Sequence, residues 1–147
     1  MDSFAINFYR KDPVQIRFND VDIVGHVNNV MYQHYYDLGR LYYFDNVLKD
    51  MIKWDEISVV LVKITTEYFA PVHLEDKIFV ETKINRLGNK SLEMVQRVVS
   101  EKNGIPVIHS LSNSILSGYD RRTGNSALIP EIWKEVIRKY ENNELAG

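Results

Sequence analysis

Hydrophobic and polar positions alternate with a period of two in two stretches of this chain and follow a helical period in two others. Pro13 to Phe18 (PVQIRF) alternates and predicts a first strand. Asn19 to Asn29 breaks the pattern and reads as a loop, with Gly25 and two asparagines near its end. Asn28 or Asn29 is a candidate N-cap, because an Asn side-chain oxygen can accept a bond from an unpaired helical N–H. Val30 to about Leu48 predicts the main helix, with Met31, Tyr35, Leu38 and Tyr42 on one stripe. Leu41, Phe44, Val47 and Leu48 make the remaining face apolar too, which leaves Gln33, Asp37 and Arg40 as a narrow polar stripe expected to face solvent. A helix apolar over most of its circumference is expected to be largely buried. Gly39 in its middle lowers helix propensity and leaves room for another backbone to come close. Lys49 to Trp54 predicts a second, short helical piece.

The rest is strand-like. Ile57 to Ala70 is rich in Val, Ile and Thr and ends at Pro71. Lys77 to Leu87 sets Ile78, Val80, Thr82 and Ile84 on one face against Phe79, Glu81, Lys83 and Asn85 on the other. Gly88-Asn89 predicts a turn, Ser91 to Glu101 a strand, Asn103-Gly104 a tight hairpin and Ile105 to Tyr119 a fifth strand. Pro130, followed by Ile132, Trp133, Val136, Ile137 and Tyr140, marks a C-terminal amphipathic helix. The tail ENNELAG is polar and is expected to fray. The order predicts an α+β architecture. Five antiparallel strands curl around the long helix, and the last helix lies on the surface. Such a sheet keeps open edges, and pairing them with a second copy is one way to protect them.

At 147 residues the chain fits a single domain spanning 1–147. Its net charge of −2 argues against general nucleic-acid binding. The absence of cysteine excludes disulfides, thiolate metal sites and a Cys nucleophile. MDSFAINFYRKDP has no apolar core of a secretory signal, and no run reaches the ~18 apolar residues of a membrane span. The expected location is the cytoplasm.

The segment richest in chemistry is Arg17-Phe-Asn-Asp20-Val-Asp22-Ile-Val-Gly25-His26-Val-Asn28-Asn29-Val-Met-Tyr32. Two carboxylates, a Gly, a His and two amides lead into the N-terminus of a buried helix. The first turn of a helix carries unpaired N–H groups and partial positive charge, which can hold an oxyanion. A carboxylate beside it could act as general base or nucleophile. Acyl transfer uses both kinds of group. No G-x-S-x-G elbow or Gly-rich phosphate loop offers another route.

The pattern D-x-D-x-x-G-H-V-N-N-x-x-Y after a short strand resembles the signature of the 4-hydroxybenzoyl-CoA thioesterase-like hotdog family. Arg86-Leu-Gly-Asn-Lys-Ser-Leu and the element order extend the resemblance from about Val14 to Tyr119. It implies a hotdog fold and an acyl-CoA thioesterase that needs no cofactor, acting as a homodimer or homotetramer. It also implies Asp22 as nucleophile or general base, the Asn29 main-chain N–H as oxyanion donor and Gly25 as the residue that lets the loop approach substrate. His26 and Asn28 would crowd the same pocket, and Tyr32 and Tyr36 would line its acyl end. For the phosphates of CoA, Arg86, Lys90, Arg121 and Arg122 are candidates, Lys90 foremost.

Plainer readings stand beside these. Asp22 could be a loop cap, Asn28 a helix cap, His26 a hydrogen-bonded loop histidine, the tyrosine-rich helix face plain core and Lys90 solvated surface charge. Asp20 reads as a partner for Arg17 or a turn residue. His34, His73 and His109 have no ligand-like spacing, so they read as structural and no metal is expected. Two other functions fit the fold: a hydroxyacyl thioester dehydratase, which would need Asp37 turned toward His26, and a non-catalytic acyl-CoA binding protein.

Overall fold

The computed structural model describes residues 5–146. The elements are β1 (Arg10–Val14), a 3-10 turn (Phe18–Asp20), α1 (Met31–Val47), a second 3-10 turn (Lys49–Met51), β2 (Ile57–Tyr68), β3 (Ile78–Leu87), β4 (Ser91–Lys102), β5 (Ile105–Asp120), β6 (Asn125–Ser126) and α2 (Glu131–Tyr140). All strand pairs are antiparallel, in the order β1-β3-β4-β5-β2, with the two-residue β6 added at the end of β5. The sheet curls around α1, and among the described residues β1 and β2 are its two open edges.

Alternation decides which side of each strand meets the helix. Ile78, Val80, Thr82 and Ile84 of β3 are buried under α1, as the pattern predicts. Asn103 (φ 54°) and Gly104 (φ 77°) both take positive φ, as a two-residue primed turn requires between β4 and β5. Gly39 sits where α1 comes closest to the sheet. A Cβ there would stand 2.6 Å from Val80 Cγ1 and 2.9 Å from Gln96 Nε2.

The buried core is split. One cluster, around Tyr43, Phe44, Leu92 and Trp133, fills the α2 end; the other, around Tyr32, Tyr36, Val80 and Val98, fills the end beneath the loop before α1. Between them runs a polar belt, one residue from each of four neighbouring strands in register: Thr82, Gln96, Ser112 and Thr66. Helix α1 meets this belt with its own polar groups. Gln96 Nε2 donates to the Tyr36 carbonyl at 2.9 Å and to Thr82 Oγ1 at 3.0 Å, Arg40 donates to Gln96 Oε1 at 3.2 Å, and Gln33 donates to Thr66 at 3.3 Å.

The structure differs from expectation in four places. The first strand runs from Arg10 to Val14 rather than Pro13 to Phe18, because the Asp20 carboxylate accepts the Arg17 N–H at 2.9 Å and winds that stretch into a 3-10 turn. The second helical piece is only Lys49–Met51. Arg40 is not on a solvated stripe: it is 6% exposed, turned inward to Gln96. The tail does not fray at Glu141, which is fully buried and accepts bonds from Tyr43 Oη (2.5 Å), the Ile84 N–H (3.0 Å) and Lys83 Nζ (3.4 Å). Further on, Ala146 pairs beside Arg86. Met1 to Phe4 of the N-terminal stretch and Gly147 of the tail lie outside the described residues. Among the described residues no helix is long and apolar enough to cross a membrane.

Candidate active site

The loop between the first 3-10 turn and α1 is built on two aspartates with different environments. Asp20 is fully buried. Its carboxylate accepts bonds from Tyr35 Oη (2.6 Å), the Arg17 N–H (2.9 Å) and Arg17 Nε (3.2 Å), and its carbonyl accepts the Asn28 N–H (2.8 Å). Burial alone would raise this carboxyl. The bonds from Tyr35 and Arg17, with the guanidinium charge, outweigh it and hold the group below the usual carboxylate range. Asp20 is therefore the structural partner of Arg17 that the sequence suggests.

Asp22 is exposed. Its Oδ1 accepts the Val24 N–H (3.0 Å) and the His26 N–H (3.1 Å), while its own N–H donates to the His26 carbonyl (2.8 Å). One oxygen thus ties the loop, and the other, Oδ2, has no hydrogen-bond partner among the described residues. Gly25 turns this loop at φ +83°, with nothing within 4 Å of a Cβ built there, so conformation rather than space calls for glycine. Val21 and Val27 pair across the loop base.

Helix α1 starts at Met31, after Val30 as N-cap, and neither Asn28 nor Asn29 occupies the cap itself. Asn28 serves the same end one step earlier: its Oδ1 accepts the Val30 N–H (3.3 Å) and its carbonyl the Met31 N–H (2.9 Å). The Asn29 N–H has no partner among the described residues, while its carbonyl accepts Tyr68 Oη at 3.1 Å.

These groups line one open pocket of about 380 Å³, bounded by Asp22, His26, Asn28, Asn29, Tyr32 and, from the end of β2, Tyr68 with Phe69 to Pro71. Tyr32 packs edge-on against Tyr68 at 5.0 Å between ring centres. Burial, with Tyr68 beside it, pushes the Tyr32 phenol up to about 12, so it stays a neutral donor near pH 7. The His26 ring meets that of His73 edge-on at 5.1 Å.

The structure therefore brings Asp22, His26, Asn28, Asn29 and Tyr32 together, with Gly25 shaping their loop. Tyr36 is behind the wall, fully buried, donating to Ser110 Oγ at 2.7 Å. Lys90 is at the other end of the sheet. Its carbonyl accepts the Gly118 N–H, and Gly118 lies eight positions along β5 from Ser110, roughly 26 Å at strand spacing. Asp37 is 78% exposed and pairs with Arg40 at 3.2 Å rather than turning toward His26. Sequence reading missed the wall Tyr68 to Pro71. Its only local signals are the aromatic pair at the end of the alternating run and the proline that stops it.

A curled sheet around one helix, with an aspartate and an unpaired main-chain N–H at the helix entrance, is an arrangement suited to acyl transfer. The family model described as the thioesterase-like superfamily matches residues 16–137. The acyl-CoA thioester hydrolase YbgC of Escherichia coli O6:H1 is 28% identical over 93 residues, 62% of this chain and 69% of that protein. A Thermus thermophilus thioesterase, solved with coenzyme A and Zn, superposes with a TM-score of 0.78 at 30% identity, covering 92% of this chain and 96% of that one. The dynemicin thioesterase, at 17% identity, has a TM-score of 0.81 over 96% of this chain and 99% of its own, which speaks to the fold alone. The chain belongs to the thioesterase-like superfamily, with a hotdog fold. It is a thioester hydrolase.

Proposed function

We propose that this enzyme hydrolyses an acyl-CoA thioester to the free acid and CoA, with Asp22 acting on the thioester carbonyl. One observation carries the reading: a carboxylate oxygen of Asp22 and the main-chain N–H of Asn29, neither engaged among the described residues, belong to residues that line the same pocket. The E. coli relative's name and the coenzyme A held by the Thermus neighbour support the acyl-CoA class.

In the water-activated route, Oδ2 takes a proton as water attacks the carbonyl carbon, and the Asn29 N–H receives the oxyanion. The C–S bond then breaks and the departing thiolate takes up the proton. In the nucleophilic route, Oδ2 itself attacks, the C–S bond breaks to expel the CoA thiolate, and water then cleaves the resulting anhydride, giving up the proton that the thiolate takes. His26 and Asn28 orient the reacting groups, and the aromatic wall of Tyr32, Tyr68 and Phe69 receives the acyl group. Asp22→Asn keeps the loop-tying Oδ1 and removes the basic oxygen. Thiol release from a panel of short, long and aromatic acyl-CoAs is expected to fall by ~10²–10⁴-fold. Undiminished release would remove Asp22 from the mechanism.

The same reading includes a second copy across β2. Among the described residues that edge is unpaired, and it exposes Val60, Leu61 and Val62. Antiparallel pairing of two β2 strands sets the Lys90 end of one sheet beside the pocket end of the other. In that arrangement Lys90 serves the other copy's CoA rather than its own.

A further inference from the structure

His109 is fully buried on β5, outside the pocket, and hydrogen-bonds to the pocket wall through both its main chain and its ring. Its carbonyl accepts the N–H groups of Phe69 (2.8 Å) and Ala70 (3.3 Å). Its ring Nδ1 faces the carbonyls of Ala70 (3.2 Å) and Pro71 (3.1 Å), and Nε2 stands 2.6 Å from Ser100 Oγ. Two carbonyls can only accept, so Nδ1 carries the hydrogen and Nε2 accepts the Ser100 hydroxyl. Burial lowers the proton affinity of the ring and keeps it in this neutral form, against smaller raising effects from the two carbonyls and Asp76.

The wall so held leads to Asp22. The Val72 carbonyl accepts the Val27 N–H at 2.8 Å, His73 bridges to His26, and the His26 N–H donates to Asp22 Oδ1 at 3.1 Å. Three hydrogen bonds therefore separate the His109 ring from the Asp22 carboxylate.

We propose that His109 is a positioning residue: its Nδ1–H fixes the Phe69–His73 segment, and through Val27 and His26 that segment sets the direction in which Asp22 presents its free oxygen. The proposal rests on the thioesterase reading for its kinetic arm. The Nδ1–H is the active element. Pro71 has no N–H, and without the ring donor both carbonyls would turn toward water, carrying Val72 with them.

Three substitutions separate this from plain support of the core. His109→Asn places an amide N–H near the Nδ1 position. His109→Gln places one near Nε2 and leaves the carbonyls without a donor. Ser100→Ala removes only the bond on the far side of the ring. The expected result is that His109→Asn and Ser100→Ala keep kcat within a few-fold of wild type, whereas His109→Gln loses about 10²-fold in kcat with a much smaller change in KM, the scale of a small misplacement at a reacting centre. Amide exchange at Val27 and Ala70 is expected to speed up only in His109→Gln. If kcat instead follows melting temperature across the three variants, or exchange at Val27 is unchanged in His109→Gln, the proposal is overturned. If wild type releases thiol from no acyl-CoA, the thioesterase reading fails while the exchange measurement still decides whether His109 holds the loop.

Discussion

Asp20 and Asp22 stand two positions apart, and their surroundings give them opposite tasks. Asp20 has its oxygens filled by Tyr35 and Arg17, whereas Asp22 keeps one oxygen open to the pocket. The Tyr35 bond is the main influence holding the Asp20 carboxyl down against the cost of burial. A carboxyl held lower in the folded state binds fewer protons there than when unfolded. Its stabilisation is therefore complete above the ordinary carboxylate pKa of ~4 and is lost as pH falls through the folded value. Tyr35→Phe is expected to cost about 1.5–3 kcal/mol near pH 7, the worth of a bond to a charged group. The gap from wild type should close as pH falls below ~4. Urea denaturation at several pH values checks this, and a pH-independent difference would rule out the Asp20 linkage. That Asp22, Gly25, His26, Asn28 and Asn29 share one loop was legible because they lie within eight positions of a single motif. His73 and Tyr68 were not, because each reaches the site only through chain closure over 39 or more positions, as in the Tyr68–Asn29 bond.

At the level of elements, α1 matched its predicted extent to about one residue at each end, since its apolar period is long and well marked. The polar face was misjudged for a physical reason. Periodicity predicts which residues share a face, but Arg40 is covered because the opposing sheet offers Gln96 as an acceptor, and that pairing exists only in three dimensions. Glu141 is the same case, buried because Tyr43, Lys83 and the Ile84 N–H await it. Gly39 shows two effects competing on one element. Ala is favoured over Gly in a helix by ~1 kcal/mol. The added Cβ would stand 2.6 Å from Val80 Cγ1 and 3.0 Å from Thr82 Oγ1, and overpacking of this kind costs about 1–3 kcal/mol. Gly39→Ala is thus expected to destabilise despite its better propensity. A variant as stable as wild type in guanidinium would mean that α1 shifts away from the sheet at little cost.

For the whole molecule, the strand order leaves two edges unequally guarded. β1 is five residues long, while β2 offers twelve, with Val62 64% exposed at its middle. Open edges of that length are normally covered. Replacing Val62 by Lys is expected to shift the sedimenting species from dimer toward monomer and to reduce thiol release with it. A wild type that sediments as a monomer would exclude pairing across β2. Clean alternation in β3, β-branched richness in β2 and the turn signals around β4 and β5 made the strands readable, but their spatial order was not, because hairpin succession would pair β2 with β3, whereas the sheet sets β1 beside β3 and β2 beside β5.

The polar belt of Thr82, Gln96, Ser112 and Thr66 runs between two separate apolar clusters of the interior. Energetic effects of substitutions add when the sites share no partners. Changes around Tyr32 and Val98 are therefore uncoupled from the packing of Leu92, Phe44 and Trp133 at the opposite end. The compartment beneath the candidate pocket can therefore change its side chains while the far compartment retains the stability that such change draws on.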